Sequence, residues 1–485
     1  MNELLAPPSR LMKIYAAIAK WTLWLLLAFW LTVALAWGAL HGFIVPRIGE
    51  LRPDLEIEAG RVLGVPVRIG GITASTEGLV PTFELQDVVL LDARGAEALR
   101  LARIVVTLSP RSLWNLGFDQ LYIEKPQLDI RRAPDGKIFV AGLDLSRGAD
   151  NDGRFADWFF RQAEFVVRGG TLRWTDEMRN APPLALADVD FVMRNSTRRH
   201  ALRLDATPPP EWGDRFSLRG LLRQPFLSAH SGRWQEWTGQ LHADFARVDV
   251  SQLRRHADIG FEVASGRGAV RAWADVVKGQ VTGGTADLVL AGVGTTLGAG
   301  LQPLSLDSLS GRLSGKRLAG GFEFETRELQ FSTREGQRWP GGNVYVNWVQ
   351  GDGKQPARGE IRADKLDLAA VSQIATRLPL GTVTHTALAT YAPKGLVETL
   401  QAQWQGNPDA LQKYEVRGRA VQLEVASRLG TVSRAGKPSA GTPGISGAAV
   451  NFDFTEAGGS ARLAIDKGAM DFPGVFEEPV IPRCV

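Results

Sequence analysis

Six histidines, His41, His200, His230, His242, His256 and His385, are the side chains of this sequence best suited to hold a metal or move a proton near neutral pH. They are scattered, and no two stand at the i, i+4 spacing of a helix-borne zinc site. Asp188-Val189-Asp190 offers two carboxylates, but alternate positions on a strand with apolar neighbours put both on a solvated face rather than around a cation. Gly292, Gly294 and Gly298 have the wrong spacing for a dinucleotide fingerprint, and no helix-forming stretch follows them. Neither a Walker loop nor a G-x-S-x-G elbow is present. Glu477-Glu478 precedes Pro479 in a turn and needs no catalytic account. The single cysteine, Cys484, makes no internal disulfide and offers no redox pair. Trp234, Trp237, Trp273, Trp339, Trp348 and Trp404 are suited to stacking on a carbohydrate, to filling a core, or to lining a lipid groove. The residues therefore point away from an enzyme, a metal centre or a cofactor.

The elements that must carry these residues are mostly strands. Val67 and Ile69 alternate with Arg68 and Gly70; Leu241, Ala243 and Phe245 oppose Gln240, His242 and Asp244; Phe322 and Phe324 flank Glu323; Phe452 and Phe454 flank Asp453. Such alternation belongs to antiparallel or meandering sheet with one apolar and one wet face, since a doubly wound parallel sheet would show solid apolar strands. The 53 glycines follow no collagen period and fit frequent turns. Charged residues make up 22% of the 485, with a formal net charge of +4 and both signs interspersed, which excludes a nucleic-acid-binding stripe.

Helical interruptions are expected at residues 48–62 with Gly64 as the stop, in a one- or two-turn helix at 109–117, and at 157–165, 249–258, 366–378 and 407–414. These are too few to cover a long sheet. Its apolar face must then be covered by closure into a barrel, by a second sheet, or by something that is not protein. Two segments look related: Gly239 to Asp244 leading to Val250-Ser251-Gln252-Leu253, and Gly359 to Asp364 leading to Val371-Ser372-Gln373-Ile374. Each reads as a strand followed by a short helix. Residues 148–153, 208–210 and 433–447 read as loops.

One apolar run, Trp21 to Pro46, lacks any Asp, Glu, Lys or Arg and exceeds the roughly twenty residues that a ~30 Å hydrocarbon core needs. Arg10, Lys13 and Lys20 precede it, so a cytoplasmic N-terminus and an exported remainder are expected. Lys20, Trp21, Trp24 and Trp37 are the candidate interfacial anchors. The rival reading is a cleaved signal, because Ala34-Leu35-Ala36 has the small-residue pattern of a cleavage site, but apolar character continues through Trp37, Leu40, Phe43 and Ile44.

Leu63-Gly64-Val65-Pro66-Val67, Pro126-Gln127-Leu128-Asp129-Ile130-Arg131 and Gly170 to Asp176 resemble the AsmA-like superfamily. Ser265-Gly266-Arg267-Gly268-Ala269-Val270-Arg271-Ala272-Trp273, Asp287-Leu288-Val289-Leu290 and Asp471 to Pro479 make the chain most similar to its YhdP family. The resemblance implies a single-pass inner-membrane protein of double-membrane bacteria whose periplasmic β-groove moves phospholipid toward the outer membrane, with the outer membrane or its assembly machinery as further partners. Family members are longer, so a truncated or frameshifted chain is expected, one unable to complete such a bridge by itself.

The expected organisation is a cytoplasmic segment at 1–20, a transmembrane helix at 21–45, an AsmA/chorein-like module at 46–147 and a continued β-groove at 154–485. The fold class is mainly β: one transmembrane helix, then an elongated, twisted, antiparallel or meandering sheet groove with a few short helices. Val67, Ile69, Phe83, Leu85, Leu121 and Ile123 are the candidate groove rungs. Lipid transfer is the first functional reading. An envelope scaffold or assembly factor acting by strand addition is the alternative.

Overall fold

The computed structural model describes residues 10–39, 42–43, 45–75, 82–92, 95–109, 112, 117–141, 143–144, 154–226, 228, 232–256, 262–407, 410–430 and 441–481. Helix α1, Arg10–Ala39, is followed by a single 3-10 turn at Val45–Arg47 and by α2, Arg52–Leu63. Among the described residues one helix, Met12–Ala39, is long and apolar enough to cross a membrane, and none of its apolar window is buried inside the protein. Pro53 opens α2, where a missing N–H costs nothing. Gly64 ends it at φ +72, its N–H donating to the Gly60 carbonyl at 2.9 Å, in a left-handed conformation that favours glycine.

The chain then divides into two compact units, Met1–Thr175 with Ala187–His200 and Phe226–Arg233, and Asp176–Leu186 with Ala201–Pro225 and Trp234–Val485. The first carries β1 (Val67–Ser75), β2 (Thr82–Leu91), β3 (Glu97–Thr107), β4 (Gln120–Glu124), β5 (Gln127–Arg132), β6 (Ile138–Val140), β7 (Leu143–Asp144), α3 (Arg154–Arg161), most of β8 (Glu164–Asp176) and most of β9 (Leu184–Asn195). β1 to β4 pair antiparallel in sequence order. β8 then runs parallel to β4, a departure from the expected meander. The hairpin strands β5 to β7 and α3 fill the connection, which is long enough for the crossover that parallel pairing demands.

The second unit carries β10 (Arg199–Thr207), β11 (Phe216–Arg223), β12 (Thr238–Asp249), α4 (Val250–His256), β13 (Glu262–Val277), β14 (Gln280–Thr296), β15 (Leu304–Leu318), β16 (Gly321–Thr333), β17 (Arg338–Pro340), β18 (Val344–Val349), β19 (Arg358–Asp367), α5 (Leu368–Ile374), α6 (Thr382–Tyr391), β20 (Lys394–Asn407), β21 (Ala410–Val425), β22 (Gly444–Thr455) and β23 (Gly458–Asp471). Every pairing from β11 to β16, from β16 to both β17 and β18, and from β18 to β23 is antiparallel. The structure is a large open antiparallel sheet with few short helices, as the alternation predicts.

Both related segments do form a strand running directly into a helix, β12 into α4 and β19 into α5. The Asp367 carboxylate caps α5 by accepting from the Ala370 N–H at 3.0 Å. The helix expected at 407–414 is instead the end of β20 and the start of β21, with Pro408 outside the described residues. Tyr414 pairs with Trp404 and Val416 with Ala402, so the local two-residue period prevails over a proline that resembled a helix start. Helix α6 was not expected. Of the helix expected at 109–117 only residues 109, 112 and 117 are described; the loop at 148–153 and residues 433–440 of the loop expected at 433–447 lie outside the described residues, as do His41, His230 and Cys484, whereas Gly444 to Gly447 of that loop open β22, which pairs with β23.

Candidate functional site

The six candidate rungs of the first unit come together. Val67, Ile69, Phe83 and Leu121 are buried, and Leu85 and Ile123 are partly buried, in one cluster with Val88, Leu101, Ile104 and Val106. Register explains the grouping: Phe83 opposes Val106, which opposes Leu121, while Leu85 opposes Ile104, which opposes Ile123. Ala59 and Leu63 of α2, Val45, Ile48 and Trp158 of α3 pack onto the same cluster. In this structure the six positions therefore form a packed core beneath helices. The other face of these strands is wet. Arg103 bridges Glu84 at 3.0 Å and Glu124 at 2.9 Å across three strands. Its hydrogen bond, then that of Gln86 and the guanidinium charge, hold the Glu84 carboxyl below its usual range against some desolvation.

The second unit carries the longer apolar surface, and its face stays partly open. Following the pairing from β11 to β23, one row runs Leu218, Ala243, Ala272, Ala286, Leu313, Thr326, Val344, Ala363, Leu400, Gly418, Phe452 and Ala461. Two residues along each strand, on the same face, a second runs Gly220, Leu241, Ala274, Gly284, Gly315, Phe324, Val346, Ile361, Ala402, Val416, Phe454 and Gly459. No charged residue stands on either row, and Thr326 is the one hydroxyl. At about 4.8 Å per strand, twelve strands make a path of roughly 50 Å along the sheet. Phe324 and Phe454 are 39% and 40% exposed. One end of the strands is roofed: Val250 and Leu253 of α4 and Ile374 of α5 pack over Val270, Leu290, Leu304 and Leu306.

The opposite face of the same strands is polar, running Arg219, His242, Trp273, Thr285, Ser314, Glu325, Tyr345, Arg362, Gln401, Arg417 and Asp453. One register position away, Asp244, Arg271, Asp287 and Arg312 alternate in sign, with Arg271 3.7 Å from Asp244 and Arg312 2.5 Å from Asp287. The Arg312 hydrogen bonds lower the Asp287 pKa, opposed by desolvation and helped by Coulomb attraction. Such exposed pairs add little stability, but they mark which face meets water.

The candidate chemistry of the sequence is not brought together. His200 is buried against Asn195, His242 lies beside Trp273, and His256 sits on Trp212 at 5.0 Å. Asp190 accepts from the Gly169 N–H at 3.1 Å, on a strand beside buried Val189. Among the described residues no group of three or more His, Cys, Asp or Glu is placed to hold a metal. The tryptophans are dispersed: Trp237 and Trp339 are buried, Trp234 is exposed, Trp273 is on the polar face, and Trp348 stacks with Trp404 at 6.2 Å. On α1, Trp21 and Trp24 are exposed, Trp37 is half-buried and Lys20 lies in mid-helix.

Sequence alternation had flagged Leu241, Ala243, Phe245, Phe322, Phe324, Phe452 and Phe454 as one-faced, but not the small residues between them. The chain is 24% identical over 379 residues to the protein named intermembrane phospholipid transporter YhdP from Escherichia coli strain K12, an alignment covering 73% of this chain and 28% of that relative. The chain thus spans under a third of that relative's length. No solved structure matches it. The YhdP protein family matches residues 1–483, and the chain belongs to that family.

Proposed function

We propose that this chain is a non-enzymatic lipid conduit, anchored in a bacterial inner membrane by α1 with its N-terminus cytoplasmic, whose periplasmic sheet carries phospholipid between inner and outer membranes. The observation that supports it is the pair of uncharged rows crossing twelve strands of the second unit, backed by an opposite face rich in charged and polar side chains. The name of the E. coli relative agrees with this reading. Val67, Ile69, Phe83, Leu85, Leu121 and Ile123, packed beneath α2 and α3, would join such a path only if those helices moved aside.

The mechanism is a removed barrier. An acyl methylene exposed to water costs about 0.8 kcal/mol, so a chain that slides from rung to rung avoids a cost of order ten kcal/mol without any bond being made or broken. No single side chain is essential; unbroken apolarity is. Lys20, Trp21, Trp24 and Trp37 hold α1 in register with the membrane through their amphipathic side chains.

Native mass spectrometry of detergent-extracted protein tests the reading. Phospholipid should co-purify with the chain and be lost when Val346 and Val416 are both replaced by Asp, at unchanged expression. A stoichiometric protein partner with no bound lipid would favour the envelope scaffold instead.

A further inference from the structure

Beyond the second row the same face carries a third, and its character changes. Register opposes Phe322 to Trp348, Trp348 to Gly359, Gly359 to Trp404 and Trp404 to Tyr414. Arg317 opposes Phe322 across the hairpin between β15 and β16, and it lies two residues past Gly315, on the face of the apolar rows. It is exposed, and among the described residues its guanidinium meets no carboxylate and no ring. The neighbouring strand arginines differ: Arg312, Arg327 and Arg362 stand on the polar face, bound to Asp287, Glu325 and Glu360.

Resting on the conduit reading, we propose that Arg317, with the aromatic row beside it, forms a subsite for the phosphate of a glycerophospholipid whose acyl chains lie on the two apolar rows. Across the face two apolar rows are followed by a third that holds the rings and, at its end beside Phe322, the cation, so a lipid lying across the rows would set its acyl chains on the first two and its phosphate on the third. A lone guanidinium at the rim of an apolar face keeps its charge in water and offers a fork of donors that fits phosphate oxygens.

The test uses the full chain in detergent, stripped of lipid and titrated with dioleoylphosphatidylglycerol or with dioleoylglycerol, which has the same acyl chains and no phosphate, followed by native mass spectrometry. The wild type should bind the phosphate-bearing lipid roughly tenfold more tightly. Arg317→Gln should erase that preference while leaving dioleoylglycerol binding unchanged, and Arg317→Lys should keep most of it. Arg219→Gln, the same charge loss on the polar face, should keep all of it. Binding of both lipids with no preference, or a preference that survives Arg317→Gln, overturns the subsite and leaves the conduit standing. Failure of both lipids to bind the wild type overturns the two together.

Discussion

Gly359 shows how a single atom sets the apolar face. A Cβ there would come within 2.1 Å of the Trp404 ring, which lies over the glycine and stacks on Trp348. Gly359→Val should push Trp404 off the sheet and lower stability by about 1–3 kcal/mol, read by urea denaturation with a shift in tryptophan emission. An unshifted emission spectrum would show that the ring does not sit there. Burial separates two otherwise similar charge insertions. Leu121→Asp places a carboxylate in the packed cluster of the first unit and should destabilise by several kcal/mol, whereas Ala402→Asp, on the half-open face, should fold normally and lose bound lipid. Thermal melts beside lipid counts distinguish them. Large residues such as Phe322, Phe324, Phe452 and Phe454 were legible from alternation alone. Ala272, Ala286, Gly284 and Gly315 were not, because small residues sit on either face or in turns, and only strand register assigns them to the rows. Val67, Ile69, Phe83, Leu85, Leu121 and Ile123 were legible as one apolar face, but a two-residue period says nothing of the helices that cover it.

At the scale of elements, punctuation was the reliable signal. Gly64 stops α2 where its freedom at positive φ predicts, and the strand-to-helix repeats at α4 and α5 followed from their matching residues. Helix α6 was hidden because Thr382, Val383, Thr384 and Thr386 are β-branched and read as extended chain. The parallel return of β8 onto β4 was hidden too, since alternation fixes a face but not a neighbour. His256 ends α4 on the Trp212 ring, and among the described residues neither of its ring nitrogens meets a hydrogen-bond partner. Desolvation lowers its pKa, offset in part by Asp176 and reinforced by Arg255 and Arg179. The unfolded chain therefore takes up a proton that the folded one resists, and stability should fall as pH drops below the ordinary histidine range. His256→Phe should flatten that loss between pH 7 and 5, measured by urea midpoints. Helix α1 carries its own prediction: an alkaline phosphatase fusion after Pro46 should be active and the span uncleaved, while a mature chain starting near Trp37 would make it a signal sequence.

For the whole molecule a conduit has one requirement, that lipid travels on one face of the second unit and not on the other. The energetic contrast is large: the rows present only apolar side chains, glycine and one threonine, and the reverse face presents ion pairs that hold water. Fold class and the existence of such a face followed from alternation; its length, its roof at α4 and α5 and its open end followed only from pairing. The most direct measurement places a photo-crosslinking phenylalanine analogue at Leu241, Leu313 or Ile361, and in separate variants at His242, Arg312 or Arg362 one residue away, in the chain within its native membrane. Phospholipid adducts should form at the first three positions and be absent at the second three. Equal labelling of both sets, or none at either, would contradict the conduit.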